Sequence, residues 1–539
     1  MRLYAWALAL AVLSNPIAID AWSSSPRSFA FSRMTKLSMS TQTGALPEIV
    51  LYNSKSRSKE PLQTLEEGLV KMYTCGPTVY DSAHVGNFRA FLTYDVLKRT
   101  LQYFGWHVDH ICNLTDVDDK ILMRCERDNL TVEELTRKCE DAFLKDLDAL
   151  NIIPARAYPR ATNHIDDMVE LVQMLAAKEL AYRAPDGSWY FATENDDKYG
   201  THLVNLKVDE MESQERTSAQ DDNGKRNNQD FCLWKAFKEG SDRQDATWET
   251  PIGRGRPGWH LECSAMARVF LGDTIDVHCG GIDLKFPHHE NEIAQSEGAT
   301  GKAFCECWIH NGFVNIDNEK MSKSKGNFLT LRAACPKPDE VRAYRYLVVS
   351  SQYRNPLNFT DQATKAAQKA LQRIDKVREQ LGAAIVSSKD GAAEGDSEIA
   401  TTVVPNEMKN FEAALLDDLS MPRAAACLFA LIKAAESEFK KDDGVWDICG
   451  LQAIDKALLE MDKVFGVFYQ VPMSEEEEQE QADALIVPDE VMDLVGQRTV
   501  AKDAQDWDLA DSLRKRITEL GFKVKDVKGG EPIVSRLEA

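Results

Sequence analysis

The sequence predicts an α/β fold in which a parallel sheet is followed by an α-helical bundle. Short apolar runs at residues 70–74 and 106–112 have the length of buried strands, and apolar residues at helical spacing lie between them, at 89–97. Strand, helix and strand at this spacing open a parallel α/β sheet. Farther along, Ala and Leu recur at helical spacing over 361–381 and 408–468, which predicts the bundle.

Composition sets limits on function. The chain has 539 residues, of which 43% are hydrophobic and 28% are charged. This length is enough for two to four globular domains. A net charge of -22 argues against bulk DNA binding, which needs excess Lys and Arg, but leaves open an RNA partner met through a local basic patch. The 12 cysteines show no C-x-x-C pair, so reduced thiols are expected. Beyond residue 21 no apolar run approaches the ~20 residues of a bilayer span, so no membrane contact is expected in the mature protein.

Residues 1–44 have the composition of a targeting leader. Residues 3–13 are apolar, as in a secretory signal, and residues 21–47 contain no Asp or Glu but several Ser and three basic residues, as in an organelle transit peptide. A secretory signal followed by a transit peptide resembles the two-part leaders of proteins sent to plastids, so a plastid is the favoured location. A mitochondrial leader, or a cytosolic form that starts at Met34 or Met39, is the alternative.

Polar segments divide the rest of the chain. Residues 207–230 have almost no apolar periodicity and are predicted to be a surface loop or insertion, within an inserted region at about 125–250. Residues 387–396 are predicted to be a flexible loop between helices. The acidic run at 475–480 begins a solvated linker that extends to residue 487. A compact tail follows, at 488–539.

A basic loop is predicted to bind phosphate. Lys320-Met-Ser-Lys-Ser324 follows the strand-like segment 308–316. Ammonium groups on a Gly- and Ser-rich loop can clamp a polyphosphate, and loop closure directs binding energy to the transition state. Lys320 and Lys323 are the candidate groups. An exposed basic loop or a phosphorylation site is the alternative.

A second phosphate motif, His84-Val-Gly-Asn87, lies between the first strand and its helix. Backbone N–H groups and the helix dipole favour phosphate at this place, Gly86 lets a nucleotide approach the backbone, and His84 can donate to it. Alone, this motif is weak. Together with the later lysine loop, the pair is a strong indication of nucleotide chemistry.

Four side chains form a candidate metal site. Cys75 ends the first strand, Cys263 lies in a Trp- and His-containing segment, and His288 and Glu292 are four residues apart, so they share one face of a helix. Two thiolates, an imidazole and a carboxylate suit zinc. From spacing alone, buried free cysteines and a helix-cap histidine are the favoured alternative.

The two phosphate motifs resemble the His-Ile-Gly-His and Lys-Met-Ser-Lys-Ser signatures of class I aminoacyl-tRNA synthetases, with Asn87 in place of the second histidine. Further segments resemble the cysteinyl-tRNA synthetase family, and the likeness covers the chain from about Leu51 to the C-terminus. These segments are 73–81, 113–120, 258–264, 280–292 and 350–360.

This resemblance implies a Rossmann-type catalytic domain over 45–360, a helical tRNA-binding bundle on the anticodon side over 361–474, and a small anticodon-binding domain over 488–539. The implied activity is ATP-dependent activation of L-cysteine to cysteinyl-adenylate and its transfer to tRNA(Cys), by a monomer. Two alternatives stay open: a related ligase that joins cysteine to a small amine, and a non-catalytic RNA-binding paralogue.

The resemblance also assigns roles to residues. One zinc per chain is expected on the Cys75, Cys263, His288 and Glu292 set, where it would bind the substrate thiolate, and Mg2+ is expected with ATP. The other implied positions are the following: catalytic His84, Lys320 and Lys323; ATP-binding His84, Gly86, Asn87, Gly281, Asp283, Lys320 and Lys323; cysteine-binding Thr115, Trp259 and His278. Asp116, Asp118 and Asp119 fit either a magnesium cluster or the start of a helix.

Overall fold

The structure of the protein is a computed structural model. The described residues are 46–204, 224–320, 328–388, 397–441, 445–471, 489–504, 506–525 and 532–536, without the side chains of residues 320, 489, 503, 525, 533, 535 and 536. Several predictions fall outside them: the leader, most of the 207–230 loop, Lys323, the 389–396 part of the inter-helix loop, and the acidic linker. These stay predictions.

Strands in the described residues are β1 (Val50–Asn53), β2 (Ser58–Pro61), β3 (Leu69–Thr74), β4 (His107–Cys112), β5 (Ala181–Arg183), β6 (Trp189–Phe191), β7 (Phe231–Ala236), β8 (Gly255–Pro257), β9 (Ile275–Gly281), β10 (Cys305–Asn311), β11 (Val314–Ile316), β12 (Glu319–Lys320), β13 (Leu357–Phe359), β14 (Phe522–Lys525) and β15 (Ile533–Arg536). The α-helices are α1 (Val85–Tyr103), α2 (Asp119–Asp128), α3 (Val132–Ala149), α4 (Ile165–Ala177), α5 (Trp259–Leu271), α6 (Glu290–Thr300), α7 (Leu331–Ala334), α8 (Pro338–Val349), α9 (Asp361–Ser387), α10 (Val404–Leu416), α11 (Met421–Glu438), α12 (Ile448–Phe465), α13 (Asp489–Asp503) and α14 (Trp507–Glu519).

The central sheet has the order β10-β9-β3-β4, and each neighbouring pair is parallel. Side chains alternate between its two faces, so Met72 packs into one hydrophobic core and Tyr73 into another. The first core continues into α1 and the helices of the bundle, and the second lies towards α4 and α5. The predicted strands, helix and parallel α/β sheet are therefore confirmed.

An insertion separates β4 from β9 along the chain. It contains α2 to α5 and an antiparallel sheet of order β5-β6-β7-β8. The sheet's last strand leads directly into α5, so the insertion returns the chain to the parallel sheet beside β3.

The helical part packs onto the parallel sheet instead of standing apart from it. α12 contacts α1 and α9, and buried residues of α9 to α12 belong to the same hydrophobic core as β3. The C-terminal segment, α13 to β15, has a small hydrophobic core of its own. Among the described residues no helix is long and apolar enough to cross a membrane.

A buried arginine connects the helical bundle to the sheet domain. Arg345 of α8 donates to Asp95 of α1 at 2.7 Å, and both side chains are fully buried. Arg345 also donates to the carbonyl oxygens of Leu150 and Phe465, at 2.7 and 3.0 Å, so one guanidinium ties four chain segments together. Burial alone would raise the pKa of Asp95, but Arg99 and Arg345 outweigh it and lower that pKa.

We expect Arg345→Met to destabilise the protein by about 3–5 kcal/mol, because it leaves buried carbonyls and a carboxylate short of a donor. The matched control is Arg373→Met, which removes a partly exposed pair with Glu436 and should cost less than ~1 kcal/mol. Urea unfolding of the full chain, followed by tryptophan fluorescence, measures both. Equal shifts in the two variants would contradict this role of Arg345.

Candidate active site

The predicted site residues converge at the carboxyl edge of the parallel sheet. A cavity of about 640 Å³ opens there, between the chain segments that follow β3, β4 and β9. Its lining includes most of the predicted positions: Cys75, His84, Gly86, Asn87, Thr115, Trp259, Cys263, Gly281, Asp283 and His288. Ligands of open α/β sheets bind at this edge.

Close backbone packing holds Cys75 in place. A Cβ atom at Gly76 would lie 1.6 Å from the carbonyl oxygen of Asn113, so only glycine permits the segments after β3 and β4 to meet. The Gly76 N–H donates to the Asn113 side chain at 2.9 Å. Because β3 runs beside both β4 and β9, Cys75 is fixed at their common edge.

The four predicted metal ligands form a compact, buried group. Their donor atoms lie within 4.8 Å of one another, with 3.9 Å between the sulfurs of Cys75 and Cys263 and 2.9 Å between His288 Nε2 and Glu292 Oε1. Two sulfurs bound to one tetrahedral zinc at 2.3 Å stand about 3.8 Å apart. The donor types and the sulfur separation therefore fit zinc, and His288 and Glu292 share a face as predicted.

The four ligand side chains differ in how their surroundings shift their pKa values. A hydrogen bond from Cys75 lowers the pKa of Cys263 to about 6, against the effect of burial. Burial raises the pKa of Cys75 well above its usual value, helped by its neighbour Cys263. Burial opposes charge on His288, but Glu292 and Cys263 outweigh it and raise the pKa of His288 to about 10. Likewise, His278 and His288 outweigh burial and lower the pKa of Glu292.

Two histidines extend the group. His289, which no sequence pattern had singled out, places Nε2 3.4 Å from the Cys75 sulfur, and His278 places Nε2 2.8 Å from Glu292 Oε2. Cys75, His278, His289 and Glu292 therefore form a second, overlapping set of possible ligands. His278 lies beside Glu292, is fully buried and is not part of the cavity lining, unlike Thr115 and Trp259.

Of the other two predicted cysteine-binding residues, Trp259 contacts the metal-ligand group and Thr115 contacts Glu262, the neighbour of Cys263 in α5. The Trp259 ring stacks on His288, with centroids 4.3 Å apart and 25° between the planes. Thr115 donates to Glu262 Oε2 at 2.7 Å. Burial raises the pKa of Glu262 well above its usual value. The sequence gives no signal for Glu262 either, because an acid beside Cys263 in a helix has no distinguishing spacing.

His84, a predicted phosphate-binding residue, is the N-cap of α1. Its Nδ1 accepts the Asn87 backbone N–H at 3.2 Å, and the Asn87 side-chain oxygen accepts the His84 N–H at 3.2 Å. An accepting Nδ1 carries no proton, so the ring proton is on Nε2, which is then the donor of the neutral ring. Asn87 thus orients His84 through a reciprocal cap.

The far end of the lysine loop attaches to this same motif. The Val85 N–H donates to the Leu329 carbonyl at 3.1 Å, His84 and Thr330 form an antiparallel bridge, and the Phe328 ring lies 4.7 Å from the His84 ring. The near end is β12, which pairs with β11. Lys323 and the Lys320 side chain lie outside the described residues, yet both flanks of their loop are placed.

The three aspartates after β4 do not converge. Asp116 accepts from Arg160 at 3.0 Å, Asp118 caps α2, and Asp119 pairs with Lys235 and Arg256. Each carboxylate has its own protein partner. This agrees with the helix-start alternative and not with a magnesium cluster.

Comparisons with known proteins agree with this geometry. A family model described as the catalytic domain of tRNA synthetases class I (C) matches residues 61–369. The chain is 40% identical over 489 residues to the cysteine–tRNA ligase of Chlamydia felis (strain Fe/C-56), covering 91% of this chain and 98% of that protein. It is 39% identical over 486 residues to that of Caldicellulosiruptor saccharolyticus, covering 90% and 99%.

A solved structure agrees on the fold. The methionyl-tRNA synthetase of Mycobacterium tuberculosis, bound by methionyl-adenylate, superposes with a TM-score of 0.58 at 14% identity, covering 74% of this chain and 92% of that chain. This likeness supports the Rossmann-type α/β fold alone. With the family match and relatives of nearly equal length, it follows that this chain belongs to the cysteine–tRNA ligase family of class I aminoacyl-tRNA synthetases.

Proposed function

We propose that the protein activates L-cysteine with ATP and transfers it to tRNA(Cys). The observation that supports this most directly is the shared cavity: Cys75, Cys263 and His288 of the buried ligand group line the same cavity as His84, at the N-terminus of α1. A soft metal site and a phosphate site within one cavity suit a thiol amino acid and a nucleotide.

We propose that Cys75, Cys263, His288 and Glu292 hold one zinc ion. Zinc, when bound, supplies a soft Lewis acid that prefers a thiolate to a hydroxyl, which would distinguish cysteine from serine. The protein's part is to shape and orient: Trp259 closes the side of the pocket, and Thr115, held by Glu262, offers a fixed hydroxyl. A pocket that sensed size alone would separate such similar substrates by only ~1–3 kcal/mol.

Adenylate formation needs no enzyme nucleophile, because the cysteine carboxylate itself attacks the α-phosphate and pyrophosphate leaves. His84 Nε2 is oriented to donate to the phosphates, and Lys320 and Lys323 would neutralise the charge that develops on them. Gly86, Asn87, Gly281 and Asp283 border the nucleotide, with Mg2+ accompanying ATP. Catalysis then consists of alignment and charge stabilisation.

The chain beyond residue 360 is proposed to bind tRNA. Exposed Arg514, Lys515 and Arg516 lie on α14, and Trp507 at the start of that helix is 59% exposed, which suits phosphate contact and base stacking. The relatives extend over this region too, which disfavours a ligase that acts on a small amine. A monomer is consistent with one complete cavity per chain.

The leading test is cysteine-dependent ATP–pyrophosphate exchange by the protein without residues 1–44. We expect exchange with cysteine, negligible exchange with serine, and about one zinc per chain by metal analysis.

Cys263→Ser should bind zinc more weakly or not at all, because a hydroxyl is a poor ligand for a soft metal ion. Active, zinc-free enzyme would show that the ligand assignment is wrong.

Zinc binding to metal-free enzyme should release about two protons per site at pH 7, because ligands bind deprotonated. His288, with a pKa of about 10, and Cys75, with a raised pKa, carry protons at that pH, whereas Cys263 with a pKa of about 6 is already a thiolate. Below pH 6 the Cys263 proton adds to the count and zinc affinity falls. Calorimetry in buffers of different ionisation enthalpy measures the release, and an absence of release would contradict these protonation states.

Lys323→Ala should slow adenylate formation far more than it weakens cysteine binding, because the ammonium acts on charge that develops in the transition state. Lys320→Ala, the matched variant in the same loop, should have a smaller effect. Pre-steady-state adenylate formation and cysteine KM separate the two quantities. Exchange by Lys323→Ala within a few-fold of wild type would exclude the phosphate-clamp role.

Deleting residues 489–539 should spare pyrophosphate exchange and raise the KM for tRNA, since the tail has its own small core.

Combined alanine substitution of Arg514, Lys515 and Arg516 should flatten the salt dependence of tRNA binding, by about one unit of log–log slope for each phosphate that the variant no longer neutralises. Lys302→Ala, which removes a surface lysine already paired with Asp273, is the control. Unchanged KM and salt slope would show that the tail does not contact tRNA.

A further inference from the structure

Tyr73 of β3 places a buried hydroxyl beside the metal-ligand group. Side chains two residues apart along a strand share a face, and Tyr73 and Cys75 both pack into the core that contains Cys263. The Tyr73 ring lies edge-on to the ring of His278, its neighbour on β9, with centroids 5.2 Å apart and 61° between the planes. The tyrosine is fully buried, so bulk water does not reach its hydroxyl.

This hydroxyl has no hydrogen bond of normal geometry within the part of the chain that the structure describes. Other buried tyrosines have one. The Tyr182 hydroxyl donates to Asp230 at 2.7 Å, and the Tyr199 hydroxyl donates to Asn291 at 2.7 Å. A buried donor without an acceptor costs ~1–3 kcal/mol, so the placement of the Tyr73 hydroxyl calls for an explanation.

The groups that surround the Tyr73 hydroxyl are three of the four predicted zinc ligands. Burial raises the pKa of Tyr73 well above its usual value, and Cys263, Cys75 and Glu292 raise that pKa further. Cys263 also lies close enough to contact the hydroxyl directly. Both carboxylate oxygens of Glu292 already contact imidazole nitrogens. A sulfur is therefore the acceptor that remains for Tyr73.

Zinc ligation changes the hydrogen bonds among the ligands. Hydrogen bonds from Cys75 and then from His288 lower the pKa of Cys263, against the effect of burial. A metal ion displaces the protons of its ligands, so Cys263 loses both of these donors when the site is loaded. The Tyr73 hydroxyl is not a ligand and keeps its proton at neutral pH. It is therefore a donor that Cys263 retains.

The charge of a loaded site gives this donor a purpose. Cysteine binds zinc as the thiolate, so Cys75, Cys263 and Glu292 together bring more negative charge than one Zn2+ neutralises. A substrate thiolate would add to that surplus. Negative charge in a buried site is costly unless donors face it, and a hydrogen bond to a charged group favours its charged form.

Resting on the zinc assignment and the function proposed above, we propose that Tyr73 is a positioning residue whose hydroxyl donates to the Cys263 sulfur in the zinc-loaded site. The hydrogen bond holds the sulfur in place and draws negative charge away from it. The site thereby binds zinc more tightly and accepts the substrate thiolate more readily. Tyr73 acts through Cys263 and does not itself touch the substrate.

Tyr73→Phe removes only the hydroxyl and tests this role in the full chain. Zinc affinity, measured by competition with a chromophoric chelator, should fall about 10–100-fold. Urea unfolding should show a larger loss of stability in the zinc-loaded chain than in the chelator-treated chain. The matched control, Tyr182→Phe, removes a buried hydroxyl that donates to Asp230, so it should destabilise both forms equally and leave zinc affinity unchanged.

The outcomes of this experiment separate a role at the metal from a structural one. Equal zinc affinity in Tyr73→Phe and wild type would overturn the proposal. Equal destabilisation of the loaded and chelator-treated chains, or a variant that folds in neither form, would also overturn it, because the hydroxyl would then support the fold itself.

Cobalt gives a spectroscopic readout of the same hydrogen bond. In the Co2+-loaded chain, Tyr73→Phe should move the sulfur-to-metal charge-transfer band to longer wavelength, because a thiolate without its donor gives up electron density more readily. Tyr182→Phe should leave the band in place. An unmoved band in Tyr73→Phe would contradict a hydrogen bond to a metal-bound sulfur.

The kinetic effect should fall on cysteine binding. Tyr73→Phe should raise the KM for cysteine several-fold in pyrophosphate exchange and leave kcat within about twofold, because the thiolate is held alike in the ground state and the transition state. A lower kcat at unchanged KM would contradict this role.

This proposal and the proposed function fail in different ways. A wild-type chain that binds no zinc would refute the ligand assignment, and one without cysteine-dependent exchange would refute the proposed function. A wild-type chain that shows both, together with a Tyr73→Phe variant of equal zinc affinity, would refute only the role of Tyr73.

Discussion

The site depends on the parallel hydrogen bonding of β3 between β9 and β4. Because parallel strands end at the same edge, the segments after residues 74, 112 and 281 leave the sheet side by side. Cys75, Thr115 and Asp283 thereby line one cavity although they are up to about two hundred residues apart. α5, at the end of the insertion, supplies Trp259 and Cys263 to the same cavity.

Glu292 lies at the electrostatic centre of the buried group. It is fully buried, contacts His278 through one oxygen and His288 through the other, and lies 3.6 Å from the Cys75 sulfur. A carboxylate in such a place is costly unless cationic partners surround it, which is why its two imidazole neighbours lower its pKa. The outer histidines, His260 beside His288 and His310 beside His289, orient the inner ones through ring-nitrogen contacts at 2.9 and 2.8 Å.

The described end of the predicted lysine loop lies beside the His84 motif, although more than two hundred residues separate the two motifs along the chain. His84 begins α1, where the helix dipole favours an anion, and the strand-like segment that leaves the lysine loop is hydrogen-bonded to Val85. The reciprocal cap shows that Asn87 needs no charge to orient His84.

Short-range sequence patterns were enough to predict several elements of the fold and part of the site. Apolar periodicity identified β3, α1 and β4, the four-residue spacing placed His288 and Glu292 on one face, and the motifs, read with the family resemblance, named residues that do line the cavity. Only the fold reveals that His289 lies beside the Cys75 sulfur, Glu262 beside Thr115 and His278 beside Glu292. Each results from side chains brought together across the sheet and the insertion. A local pattern specifies which face of an element is buried, but not what that face meets.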